Sequence, residues 1–553
     1  MRKNLKKIGL LVFLLILLNG LSANVFYRFD FTKDKRYSIA NVSRNIIDKV
    51  DRPLQVEVYL TGKLPPAFQK LKEETRFLLE EFSAYNSSIK VNFINPVSGD
   101  KEASEVATKF FQEGMIPERL NIRKNNQVTE KIIFPWAKVK YRNKSKNVRL
   151  FIKKLNASNQ EMVDRSIENL EYALADAIKQ VSTKREKKIA VMRGKGELAD
   201  RYIADYLTAI RDYYYIAPFS LKKANEEPQK TLEQLQDFDL ILEAKPTEKF
   251  TEKEKYVLDQ YIMNGGKSLW MTESVAIEKD SLISEQKAIA LNNNLNLTDL
   301  FFAYGIRINP EIVKTLYSSP ILLAQGKGKN TSFNPFPWFY EPLTKAAEPH
   351  PINQNLNDIR MIFANPIDTL ANAIKKTVLL ESSPRSKTLS VPYQVSLNEI
   401  RKEPDVKTYN EGSQPLAVLL EGKFKSMYQN RIKPFEVNEN KDTSKPTQQI
   451  IISDGDIVKN ELRKGEPLSL GFDKYSGKNY GNKDFLLNSV NYLLGDQKLV
   501  DLRTKSIQSA VFDQERLAEA GNFWKGFNLM VGVVIIGAFG FIYGYLRRRK
   551  FVR

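Results

Sequence analysis

Two aspartates one glycine apart, in Ser453-Asp454-Gly455-Asp456, directly follow the apolar run ending at Ile452. Carboxylates gathered at the carboxyl end of a strand suit a hard cation or acid/base work, and open α/β sheets bind their ligands at such ends. Asp and Gly also build ordinary turns, so both readings of Asp454 and Asp456 stand and no metal is assigned. Gly194-Lys195-Gly196 lies between an apolar run, Ile189 to Met192, and a helical stretch, Leu198 to Tyr213. In the order strand, turn, helix, its amides and lysine suit an anionic ligand, while two glycines around one residue equally make a tight turn. Gly266-Lys267-Ser268 imitates the end of a phosphate-binding loop. There, however, Tyr261 occupies the place of the first glycine and helix precedes strand, which aims the amides away from a phosphate.

The absences narrow the chemistry further. The chain has no cysteine and one histidine. That excludes thiol nucleophiles, thiolate zinc sites and multi-histidine metal cages. The one histidine, His350, sits in Glu348-Pro349-His350-Pro351 with no GxSxG elbow to serve, and reads as a loop residue packed on its prolines. No catalytic residue and no cofactor is assigned.

The elements around these residues alternate. Val56, Val58 and Leu60 alternate with polar neighbours; Phe68, Leu71, Thr75, Leu78, Phe82 and Tyr85 follow at helical spacing; Ile89, Val91 and Phe93 alternate again. Strand, helix, strand implies a right-handed crossover and parallel pairing. Strands at Ile132 to Phe134, Lys138 to Lys140 and Val148 to Ile152 are expected to extend that sheet. A helix from Gln160 to Val181, apolar at Val163, Ile167, Leu170, Leu174, Ile178 and Val181, closes it. This first α/β domain, 28–183, has a thioredoxin-like outline without redox cysteines. After the charged run Lys184 to Lys188, a larger domain, 184–500, alternates strands (Ile189 to Met192, Phe238 to Leu242, Ser268 to Met271) with helices, as in a doubly wound parallel sheet. Residues 275–345 read as a loop-rich insertion. Strands are expected again at Met361 to Phe363, Thr377 to Leu380, Leu416 to Leu420 and Gln449 to Ile452, with a helix over Asp484 to Leu494.

The ends differ from this body. Phe527 to Tyr545 is uncharged and apolar, close to the roughly 30 Å of a bilayer core at 1.5 Å per residue, and Arg547, Arg548, Arg549 and Lys550 follow it. Cations resist translocation, so the tail 547–553 is expected in the cytoplasm behind a transmembrane helix, 527–546. Arg2, Lys3, Lys6 and Lys7 precede the apolar run Ile8 to Leu18, so 1–27 reads as a second anchor with the same orientation. A cleaved signal peptide is the alternative, although Leu21-Ser22-Ala23 fits the cleavage rule poorly. Everything between, including a charged connector, 501–526, is then expected outside the cytoplasm. Gly540 and Gly544, with Gly537, would let a partner helix approach closely. The net charge of +20 is partly in the tails and has no arginine-rich stripe, which speaks against nucleic acid as a partner.

Several segments in order, RFDFTKDKRYSIA (28–40), the Gly194–Glu197 turn, FDLILEAKP (238–246), YIMNGGKSLWM (261–271), His350-Pro351-Ile352, PLAVLLEGKFKSMYQNR (415–431) and KNYGNKDFLLNSVNYLLGD (478–496), resemble the gliding-motility-associated ABC-transporter auxiliary component of the GldG type over nearly the whole chain. The resemblance implies a non-ATPase subunit of the Gram-negative inner membrane with its bulk in the periplasm. It also implies a separate permease and a cytoplasmic ATPase as partners, and gliding or secretion machinery nearby. Members often carry histidine where Lys195 stands here. The larger domain is similar in outline to class I glutamine-amidotransferase-like folds, whose cysteine nucleophile has no counterpart here. The alternative is a structural adaptor between inner membrane and cell-wall or secretion machinery.

Overall fold

The computed structural model describes residues 13, 38–97, 103–124, 127–153, 157–326, 332–495, 502 and 514–551. The expected N-terminal anchor, 1–27, lies outside the described residues except for residue 13. The described residues up to 502 form one compact unit and those of 514–551 a second.

The first lobe runs α1 (Asn41–Ile47), β1 (Leu54–Val58), α2 (Pro66–Tyr85), β2 (Ile89–Phe93), α3 (Ala103–Gln112), β3 (Glu118–Lys124), β4 (Gln127–Ile133), β5 (Trp136–Tyr141), β6 (Lys144–Arg149) and α4 (Asn159–Ser182). Leu54, Val56 and Val58 are fully buried, so the alternation of β1 turns one face to the core. The sheet order is β2-β1-β5-β6, with β1 parallel to β2 and β5 antiparallel to β1. Helix α2 buries Phe68, Leu71, Thr75, Leu79 and Phe82, a stripe shifted by one residue from the expected Leu78, while Tyr85 is exposed. All six expected apolar residues of α4 are buried, and a capping box between Ser158 and Glu161 starts that helix.

Two strand expectations in this lobe are corrected. The strand expected at Ile132 to Phe134 belongs to β4, which pairs with β3 in a separate two-stranded ribbon and does not extend the main sheet. The strand expected at Val148 to Ile152 is β6, which ends at Arg149 and begins at the polar Lys144. Arg142, at φ 52°, makes the tight reversal from β5, and the polar residues that follow suit an edge strand with one wet face.

The larger lobe continues through β7 (Lys188–Arg193), α5 (Asp200–Arg211), β8 (Tyr215–Ser220), α6 (Pro228–Gln236), β9 (Leu240–Ala244), α7 (Glu252–Met263), β10 (Lys267–Met271), α8 (Lys279–Glu285), α9 (Thr298–Tyr304), β11 (Ile321–Gln325), β12 (Ser332–Phe336), β13 (Leu343–Ala346), β14 (Ile359–Arg360), β15 (Lys375–Glu381), β16 (Pro415–Gly422), β17 (Thr447–Ile452) and α10 (Asn482–Leu493). Nine strands form one sheet in the order β14-β13-β15-β16-β17-β10-β9-β7-β8. From β8 to β17 the strands are parallel, whereas from β16 outward they are antiparallel. The sheet is therefore parallel in one half only. Residues 423–446, which join β16 to β17, hold no helix, and without a crossover the chain returns antiparallel. Strand β9 is buried along its whole length, as a central parallel strand must be. Apolar residues of α5 and α10 pack on one face of the sheet, those of α6 and α7 on the other.

Residues 275–345, expected to be loop-rich, carry short strands and α8 and α9, with a satellite core that includes Val275, Leu282, Ile312, Trp338 and Tyr340. No strand covers Met361 to Phe363. The strand ends at Arg360, and Phe363, at φ 51°, turns the buried chain toward the sheet. In the second unit α11 (Gln514–Phe551) is continuous, so 514–526 belong to the same helix as the apolar span. Leu529–Arg549 is long and apolar enough to cross a membrane, and none of it is covered by protein.

Candidate functional site

Three neighbouring parallel strands, β9, β10 and β17, deliver charged residues to one place just past their carboxyl ends: Lys245, Glu273, and Asp454 with Asp456. The carboxylate oxygens of Glu273, Asp454 and Asp456 lie within 4.8 Å of one another, and all three residues are buried. The cation among them is the chain's own. Lys245 Nζ is 2.8 Å from Asp456 Oδ2, 3.6 Å from Glu273 Oε1 and 3.4 Å from Glu278 Oε1. Lys245 has φ 55°, a strained left-handed backbone for a lysine. Gly455 permits this approach, since a Cβ there would lie 2.6 Å from Lys245 Cγ.

The two aspartates have different partners. Asp454 accepts hydrogen bonds from the Ile362 N–H and the Asp456 N–H, both at 2.8 Å, which fastens the turn to the strand's neighbours. Burial, and next the charge of Asp456, push its carboxyl up to about 7. Glu273 accepts from the Gly455 N–H at 3.1 Å, and burial drives it well above the usual carboxylate range despite the nearby Lys245. Burial works against the Lys245 ammonium, but Glu273 and Asp456 outweigh it and its pKa is raised. Three carboxyls around one ammonium can keep a proton at neutral pH and lock the strand ends together. Glu273 and Lys245 were not singled out from sequence. Each is a charged residue one or two positions beyond a largely apolar strand, and that was the available signal.

The Gly194-Lys195-Gly196 turn also supplies its own counter-charges. Gly194 and Gly196 have φ of 102° and 71°, and a Cβ on Gly196 would overlap Thr247. The Lys195 N–H donates to Glu197 Oε2 at 2.8 Å, so a side-chain carboxylate occupies the place of an anion. Lys195 Nζ is 2.6 Å from Glu254 Oε2, with side-chain exposures of 9% and 1%, and donates to the Lys249 carbonyl at 2.9 Å. The same Glu254 oxygen accepts from the Thr251 N–H at 2.8 Å and caps α7. This turn and the Asp454 cluster lie past the carboxyl ends of the parallel strands. The Gly266-Lys267-Ser268 segment is at the opposite ends, where a Cβ on Gly266 would collide with the Tyr261 ring and Lys267 Nζ bonds the Leu493 carbonyl. His350 Nδ1 accepts from Ile352 N–H at 3.3 Å inside its own turn, and its ring meets Tyr492 edge-on.

On α11, Gly537, Gly540 and Gly544 leave open space on their side of the helix, with no atom within 4 Å of an added Cβ.

Residues 186–489 match the family described as an ABC-type uncharacterized transport system, and residues 33–140 match a domain of unknown function. An uncharacterized protein of Borreliella burgdorferi is 20% identical over 537 residues, covering 95% of this chain and 94% of that protein. Among solved structures, the mmIFT52 N-terminal domain is similar over 56% of this chain and 98% of its own, at 14% identity and a TM-score of 0.32. The family match begins just before β7 and ends within α10, spanning the entire nine-stranded sheet and more than half of the 553 residues, and on that ground the protein belongs to the ABC-type uncharacterized transport system family.

Proposed function

We propose that the protein is a non-catalytic, membrane-anchored subunit of an ABC transporter that works with a separate permease and a cytoplasmic ATPase. Its body stands in the periplasm of a Gram-negative cell, both termini face the cytoplasm, and the transporter serves gliding motility. The observation that carries the reading is the uncovered apolar helix Leu529–Arg549 in a chain of a transport-system family. An apolar helix with no protein around it needs lipid or partner helices, and Arg547, Arg548 and Arg549 hold its end on the cytoplasmic side. Energy then reaches the body only through membrane contacts with subunits that bind nucleotide. The internally neutralised Lys245 and Lys195 sites favour a structural over a catalytic role for both. The order β2-β1-β5-β6 supports the thioredoxin-like outline of the first lobe, and helices on both faces of the larger sheet support the doubly wound, glutamine-amidotransferase-like outline.

The contact surface we assign is the Gly537, Gly540 and Gly544 face, where a neighbouring helix can approach the backbone. Gly540→Ile with Gly544→Ile is expected to strip the permease from the protein during gentle purification from native membranes. Undiminished recovery of the permease with the double variant, read by mass spectrometry, would reject that contact.

A further inference from the structure

Beside the Lys245 cluster, on the far side of Asp456, the larger lobe contains a cleft of about 250 Å3. It is bounded by the residues after β17, the start of β11, α8 and the turn at 473–475. The volume is that of about eight waters at roughly 30 Å3 each, so an occupant is small. Its walls are of two kinds. Ile283, Ile321, Leu322 and Leu462 give an apolar side, whereas Arg360 and Lys459 give a cationic one.

Lys279 pairs with Glu341 and Lys474 donates to the Leu462 carbonyl, whereas Lys459 and Arg360 keep donors to spare; of the acids, Asp473 and Glu461 have close partners. Asp473 accepts from the Tyr475 N–H at 2.9 Å, the Ser476 N–H at 3.3 Å and the Ser476 hydroxyl at 2.8 Å. Glu461 accepts from the Lys474 N–H at 3.2 Å. Asp456 Oδ2 is engaged by Lys245 at 2.8 Å, and its Oδ1, which has no hydrogen-bond partner, lies 3.9 Å from Lys459 Nζ. By contrast, Lys459 Nζ comes no nearer than 3.8 Å to Asp280 and 3.9 Å to Asp456, beyond hydrogen-bond range. Arg360, only 12% exposed, is held at 3.4 Å by Glu461 and at 3.6 Å by Asp473. A buried guanidinium has five donors in a fixed fork that suits a carboxylate or a phosphate. Here most of that capacity is unused.

We infer that this cleft binds a small amphiphilic anion, its carboxylate or phosphate head between Arg360 and Lys459 and its short apolar body against Ile321 and Leu322. The site is independent of the transport reading: it follows from the cleft alone and stands whether or not a permease is bound. A soluble metabolite and a lipid headgroup offer the same chemistry, and the experiment separates them.

Full-length protein in phosphatidylcholine nanodiscs is titrated calorimetrically with hexyl phosphate, hexanoate and inorganic phosphate. Hexyl phosphate or hexanoate is expected to bind, and inorganic phosphate more weakly because it leaves the apolar wall wet. Lys459→Gln, at a partly exposed position that leaves the fold intact, is expected to weaken binding about tenfold or more, the cost of one charge-assisted contact. Leu322→Trp is expected to abolish binding by filling the cleft while leaving both cations in place. With phosphatidylglycerol in the nanodisc, a weaker apparent affinity for hexyl phosphate identifies a headgroup as the natural occupant, and an unchanged affinity identifies a free solute. Absence of binding by either amphiphile, or binding that neither variant alters, overturns the inference.

Discussion

Asp454 carries an unusual burden for an aspartate. Its carboxyl is fully buried and Asp456 sits beside it, which raises it from an ordinary 3.8 to about 7 against the lowering pull of the two backbone N–H groups that donate to its oxygens. Glu273 is shifted in the same direction. The folded chain therefore binds more protons than the unfolded one between about pH 4 and 7, and where that holds, stability falls as pH rises. A gap of about three units limits the effect to about 4 kcal/mol at 1.36 kcal/mol per unit. Thermal unfolding of the full-length protein in detergent is expected at progressively lower temperature from pH 5 to pH 8. Asp454→Asn, which needs no proton, should flatten much of that decline; parallel pH profiles for variant and parent would refute the assignment. The aspartate pair itself was legible, because two carboxylates around a glycine after an apolar run stand out in any sequence. Their partners Lys245 and Glu273 were not, since local patterns do not state that β9, β10 and β17 are neighbours.

Helix α7 owes its start to one carboxylate with two duties. Glu254 completes the capping box with Thr251 and also neutralises Lys195, which reaches it from the turn after β7. Removing the ammonium alone leaves the buried Glu254 carboxylate without its counter-charge, a loss of about 3–5 kcal/mol. Lys195→Met is expected to destabilise the protein by that amount in urea unfolding, and Lys195→Met with Glu254→Gln should recover part of it, since the neutral amide still caps the helix. A double variant as unstable as the sum of the two single ones would deny the coupling. At this scale the sequence was readable wherever periodicity was long: the stripe of α4 appears residue for residue in the core. Short or polar elements escaped. Strand β8 contains Pro218 and is tolerated only because it lies at the sheet edge. The antiparallel half depends on a connection, 423–446, that contains no helix to read.

For the molecule as a whole, sidedness depends on very little. If Leu529–Arg549 crosses the membrane once and the cations from Arg547 to Lys550 stay in the cytoplasm, the body before it lies on the opposite side, whether the first apolar segment is retained or cleaved. The body's location thus rests on one helix and its flanking charge, and the N-terminal segment decides only whether there is a second tether. The absence of cysteine makes this directly measurable, because any introduced thiol is the sole target for a maleimide. Ile432, 95% exposed, is a position where a cysteine disturbs no packing. In spheroplasts, Ile432→Cys is expected to react with a membrane-impermeant maleimide without lysis, and Arg553→Cys only after the membrane is opened. The reverse pattern would put the nine-stranded sheet in the cytoplasm and reject the proposed topology.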